Sequence, residues 1–238
     1  MSPTSRPPEA TSDRPRRIGI YGGTFDPIHV GHLIIASEIE AALGLDEVVF
    51  VPAGVPPHKD PAHVTPATDR LAMLQLALAD SDAFTIDALE LEREGRSFTV
   101  DTLAAFRQSE PDAELWFIMG GDSLADLHTW RNPGQIVSLA RLAVAARPGW
   151  DVDLEAVNHQ VPESDGRIDI VTTPLIGIAS HEIRDRVREG RPFRYLVPET
   201  VHDYILSHRL YDQPLTGPDG QRRDPNETTL VSALGGRR

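Results

Sequence analysis

Apolar positions along this chain fall into two alternating rhythms. Short, nearly continuous apolar runs occur at Ile18–Tyr21, Asp46–Pro52, Ala83–Asp87, Glu114–Met119, Arg141–Ala146 and Ile168–Val171. Runs of this length, rich in β-branched residues and bounded by Gly, Pro or charge, read as buried strands. Between them lie segments with apolar residues at helical spacing: Val30–Leu43, ended by Gly44, then Thr68–Ala79, and a segment entered through Gly95–Phe98 that runs to about Gln108. Strand and helix in alternation predict a parallel sheet with right-handed crossovers, hence an α/β, doubly wound, mostly parallel architecture. Met73 and its leucine neighbours belong to the core of such a fold. Asp151–Gly166 is polar and predicts a helix or a loop, and Pro198–His208 predicts a closing amphipathic helix.

The ends differ from the middle. The first sixteen residues are rich in Pro, Ser and charge and lack an apolar core, so residues 1–16 are expected to be a flexible lead. From position 212 onward Pro, Gly and charge dominate and a disordered tail is expected, which leaves 17–211 as the folded domain. No apolar run of about 18 residues occurs, so no membrane span and a cytoplasmic location are expected. The 238 residues include no cysteine, which excludes disulfides and thiol chemistry, and the net charge of −13 argues against a nucleic-acid-coating role. A small basic pocket remains compatible with that charge, and homo-oligomer formation is left open.

The candidate chemistry concentrates after the first strand, in Gly22-Gly23-Thr24-Phe25-Asp26-Pro27-Ile28-His29-Val30-Gly31-His32-Leu33. Two glycines after a buried strand predict a turn in which backbone can approach a ligand closely. The helix that follows offers unpaired N–H groups and a partial positive charge, an anion site. His29 and His32, three apart, share one face of that helix start and can donate hydrogen bonds to phosphate oxygens. As zinc ligands the two histidines would need a third and a fourth partner, and only Asp26 lies near in sequence. As ordinary surface residues they would leave the glycine turn unexplained.

This string resembles the signature of the (H/T)xGH nucleotidyltransferases, in the form carried by bacterial nicotinate-nucleotide adenylyltransferases. The resemblance extends in order over residues 17–211 and implies a Rossmann-like fold. It also implies transfer of AMP from ATP, as its Mg²⁺ complex, to nicotinate mononucleotide. On this reading His29, His32 and Arg184 act on the phosphates as the catalytic set. Gly22, Gly23, Thr24, Phe25, Gly31, His58, Lys59, Asp122, Ile178 and Ser180 form the ATP side. Thr99, Trp130, Arg131 and Arg147 form the acceptor side, and no protein-bound metal is implied.

Several of these positions keep a second reading in the residues themselves. Lys59 sits in a Pro-rich loop that could be a solvated turn. Thr99 in SFTVDTL and Asp122 in GGDSL could be helix caps, while Trp130 in a polar loop is placed to stack on a flat ligand. Arg131 beside it could pair with a nicotinate carboxylate. Ser180 predicts an N-cap, with Arg184 one turn inside the helix it starts. Here the chain departs from the family's ISSTxIR, with Ala179 for the first serine and His181 for the threonine. Rival readings are another acceptor such as nicotinamide mononucleotide or phosphopantetheine, an aminoacyl-tRNA synthetase, for which no KMSKS-like loop is present, and a non-catalytic nucleotide-binding regulator.

Overall fold

The computed structural model describes residues 14–55, 64–147, 149 and 153–212. Six strands form one sheet: β1 (Arg17–Gly23), β2 (Glu47–Pro52), β3 (Phe84–Ile86), β4 (Glu114–Gly120), β5 (Arg141–Ala146) and β6 (Ile168–Thr172). Their order is β3-β2-β1-β4-β5-β6, and every pairing is parallel. The chain therefore winds outward from β1 to β3, then returns past β1 to lay down β4, β5 and β6. This reversal between β1 and β4 is the switch point at which open α/β sheets leave a crevice beyond the strand ends.

Each of the four inner strands, β2, β1, β4 and β5, alternates between two cores. Tyr21, Val48, Phe50, Trp116, Ile118 and Ala143 face one side, where they meet α1 (Val30–Leu43), α2 (Ala67–Leu78), α8 (Ser180–Arg188) and α9 (Glu199–Ser207). Ile18, Ile20, Val49, Phe117, Met119 and Leu142 face the other side, against α4 (Thr99–Ser109), α6 (Pro133–Leu139) and α7 (Leu154–Gln160). The period-2 alternation with both faces covered explains why these strands read as continuous apolar runs. Two short helices, α3 (Leu89–Glu92) and α5 (Gly121–Ala125), lie among the loops beyond the strand ends.

Two expectations change. Gly22 and Gly23 are strand residues, in register with Val51 and Pro52 of β2, and neither has a positive φ. Their lack of a side chain serves packing: a Cβ on Gly23 would lie 2.9 Å from the Phe25 ring. The turn begins at Thr24, and Phe25 takes the left-handed conformation with φ 48°. The second change concerns α6, which the polar sequence around Asn132-Pro133 did not announce. Pro at its first position fixes the starting φ, and Ile136 and Val137 bury its inner face. The expected flexible lead lies outside the described residues except for 14–16, and the expected tail except for Asp212.

Candidate active site

The turn from Thr24 to Ile28 connects β1 to α1, and it is held from below by packing. Phe25 is buried among Tyr21, Phe50 and His32, with ring centroids 5.1–5.6 Å away. Its side chain is thus core, and any contact with ATP at this position belongs to its backbone. A non-glycine residue at positive φ costs on the order of 1–3 kcal/mol and persists where its surroundings hold it.

His29 is the N-cap residue of α1, with extended backbone, and His32 is the third residue of the helix. The His32 Nδ1 accepts from the His29 main-chain N–H at 3.2 Å, and the two imidazole rings stack with centroids 3.6 Å apart. His29 is buried, and its Nδ1 has no hydrogen-bond partner within the protein. Burial pushes its pKa down to about 4, so the imidazole is neutral at pH 7. A buried polar nitrogen without a protein partner calls for a hydrogen-bonding group from outside the protein, water or ligand. Gly31 makes the room: a Cβ there would lie 3.0 Å from the His29 Nδ1 and 3.2 Å from Ile176.

The α8 helix start, about 150 residues later in the chain, meets the same turn. The Ser180 hydroxyl donates to the Pro27 carbonyl at 2.9 Å, and the Arg184 guanidinium donates through Nη1 to the Asp26 carbonyl at 2.7 Å. Ser180 is therefore not the cap expected from sequence: Ala179 is the N-cap, and Ser180 is the first helical residue. Alanine cannot cap, so the first N–H groups of α8 receive no side-chain partner from that position. His181 is exposed and lines neither of the cavities described below.

Two cavities open beside the turn. The larger, of about 500 Å³, is lined by Gly22, Gly23 and Thr24 together with Thr99, Trp130 and Arg131. Trp130 packs edge-on against Phe117, and Arg131 lies over the Phe98 ring, 4.6 Å from its centroid, within 3.4 Å of the Asp101 carboxylate. Thr99 is the first residue of α4, whose N-cap is Phe98, so it does not cap that helix. The smaller cavity, of about 160 Å³, is lined by His29, Gly31, Asp122, Arg147 and Ile178. Asp122 lies in the first turn of α5 but is not its cap, which is Gly120. Arg147, assigned from sequence to the acceptor side, stands instead with the residues assigned to ATP. His58 and Lys59 lie outside the described residues.

From sequence, Arg70, Glu90 and Thr102 have no place in the site, and Asp26 enters only as a neighbour of the two histidines. Arg70 and Asp26 are buried against the turn, and Glu90 and Thr102 line the larger cavity, with the Thr102 hydroxyl donating to Glu90 at 2.5 Å. Arg70 sits at a helical position inside an otherwise apolar pattern. A charge in a core stripe was the available signal.

The cytidylyltransferase-like family model matches residues 20–186, from β1 into α8. A protein of Thermomicrobium roseum named "Probable nicotinate-nucleotide adenylyltransferase" is 51% identical over 195 residues, covering 82% of this chain and 91% of its own. A protein of the same name from Herpetosiphon aurantiacus is 44% identical and covers 82% and 98%. Among solved structures, nicotinic acid mononucleotide adenylyltransferase of Plasmodium falciparum, complexed with NaAD, superposes with a TM-score of 0.69 at 23% identity, covering 83% of this chain and 98% of that one. That likeness establishes the shared fold. With the match spanning most of the folded region, this chain belongs to the cytidylyltransferase-like family and, within it, to the nicotinate-nucleotide adenylyltransferases.

Proposed function

We propose that the protein transfers AMP from ATP to nicotinate mononucleotide, giving deamido-NAD and pyrophosphate. The observation that carries this reading is the meeting of two helix N-termini at one turn. His29, whose buried Nδ1 has no hydrogen-bond partner within the protein, lies on one of them and Arg184 on the other, and two cavities open beside the turn. Helix N-termini and arginine are suited to phosphate, and two cavities suit two nucleotides meeting at their phosphates.

An acceptor phosphate oxygen attacks the α-phosphorus of ATP, the bond from that phosphorus to the oxygen bridging to the β-phosphate breaks, and pyrophosphate leaves. No enzyme nucleophile takes part. His29, His32 and Arg184 hold the phosphate oxygens and stabilise the charge that gathers on the leaving pyrophosphate. Without ligand His29 is neutral, bound polyphosphate favours its protonated form, and in that form its Nδ1 donates a hydrogen bond to a phosphate oxygen. Mg²⁺ would come with ATP, held through its phosphates and water.

The larger cavity takes the pyridine nucleotide, with Trp130 against the ring and Arg131 facing its carboxylate; the smaller takes part of ATP beside Asp122, Arg147 and Ile178. Both substrates are charged and water-soluble, which suits a cytoplasmic enzyme. The test is to supply ATP and Mg²⁺ with nicotinate mononucleotide, nicotinamide mononucleotide or phosphopantetheine in turn and to measure pyrophosphate. Release is expected with nicotinate mononucleotide and more slowly with its amide. No release with the acid overturns the reading.

A further inference from the structure

The Arg70 side chain is 1% exposed, and its guanidinium is spent on main-chain carbonyls. Nε donates to Thr65 at 3.0 Å, Nη1 to Thr24 at 2.9 Å and Nη2 to Gly54 at 3.4 Å. Burial lowers its pKa, and the nearby Asp26 carboxylate opposes that shift. Asp26, 2% exposed, accepts from the Thr65 N–H at 3.2 Å through one oxygen and from the Tyr211 hydroxyl at 2.8 Å through the other. Arg70 and Asp26 thereby tie the turn after β1 to the end of β2, to the entry of α2 and to the chain beyond α9. Tyr211 reaches Asp26 across 185 positions of sequence.

A staple of this kind could serve folding alone. Its location argues for more. The Thr24 carbonyl that Arg70 holds belongs to the peptide leading into Phe25, the residue at φ 48°, and the Asp26 carbonyl on the far side of Phe25 is the acceptor of Arg184. The left-handed residue is gripped from both sides, and one grip is shared with a phosphate-binding arginine. We infer that Arg70, Asp26 and Tyr211 are positioning residues for adenylyl transfer, holding the Thr24–Pro27 turn and through it Arg184 in register with the α1 start. This rests on the function proposed above.

The test compares Tyr211→Phe, Arg70→Lys, Arg70→Met and Asp26→Asn by kcat, by KM for each substrate and by thermal midpoint. Displacing catalytic groups by a fraction of an ångström is felt in turnover. Tyr211→Phe is therefore expected to lower kcat about tenfold with KM for nicotinate mononucleotide within about twofold, and Arg70→Lys to fall between wild type and Arg70→Met. Should Arg70→Met or Asp26→Asn fail to fold, Tyr211→Phe and Arg70→Lys decide. Wild-type kcat in both, with only a lowered midpoint, makes the cluster a folding staple and overturns the inference. If the wild-type protein itself forms no product, the proposed function fails separately. Calorimetric affinity for a non-hydrolysable ATP analogue then becomes the readout, and unchanged affinity in Tyr211→Phe and Arg70→Lys overturns the inference.

Discussion

His29 shows how one residue is defined by what surrounds it. Its imidazole is buried, stacked on His32 and without a partner at Nδ1, and its pKa falls from 6.5 to about 4. Because the folded pKa lies below the unfolded one, the unfolded chain binds more protons between these values. The stability associated with a neutral His29 is complete above pH 6.5 and is lost as pH falls toward 4, on the order of 3 kcal/mol. Titration followed by NMR on the ligand-free protein should give the His29 midpoint near 4, and ATP should move it upward; a midpoint near 6.5 without ligand contradicts the buried geometry. For His32→Ala, loss of one phosphate donor should lower kcat about 10²- to 10³-fold, more than it changes KM. Gly31→Ala gains helix propensity but drives a methyl to 3.0 Å from the His29 ring. Its melting temperature should therefore change little while kcat falls by about tenfold or more.

At the scale of elements, the site consists of two helix starts brought to one turn. The α1 start carries its histidines as its own first residues, and the α8 start has Ala179 where a hydroxyl would cap. Replacing Ala179 by Ser supplies that cap and should add about 1 kcal/mol, raising the melting temperature by roughly 2–4 °C. If the α8 N–H groups serve the triphosphate, the new hydroxyl competes for one of them only in the absence of ligand, and saturating ATP should narrow the difference. Loops beyond α4 and the strand ends place Arg131. It stacks on Phe98 and pairs loosely with Asp101 at the cavity rim, where an exposed ion pair contributes little. Its guanidinium is thus available to a substrate carboxylate. Arg131→Ala should lose more activity on nicotinate than on nicotinamide mononucleotide, and equal losses on both would remove it as the acid-selecting group.

For the molecule as a whole, the sheet order places β1 and β4 side by side and opens the crevice between the two helical layers. A ligand filling it binds only the folded state. An ATP analogue at about 100 times its Kd should therefore add about 2.7 kcal/mol of stability, visible as a higher melting temperature.

Much of this was legible in the sequence. The six strands follow from their apolar runs, most plainly the inner four, because strands buried on both faces leave no polar alternation to obscure them. The α1 start and its two histidines were legible because they are local in sequence, whereas Gly22 and Gly23 proved to be strand residues and the turn begins at Thr24. Arg70, Asp26 and Tyr211 were not legible, because the bonds from Arg70 to Thr24 and from Tyr211 to Asp26 join positions 46 and 185 residues apart, and no periodicity encodes which distant carbonyl a buried guanidinium will meet. The same holds for Arg147, drawn to the smaller cavity by the end of β5, and for Ser180, whose hydroxyl reaches Pro27 instead of its own helix. Sequence by itself determined the strands, the longer helices, the parallel pairing and the residues of the first helix start, since these depend on neighbours along the chain. Tertiary structure alone decided how the second helix start meets the first, which cavity each side chain lines, and that His29 is neutral, since those depend on packing and loss of water at contacts between distant segments.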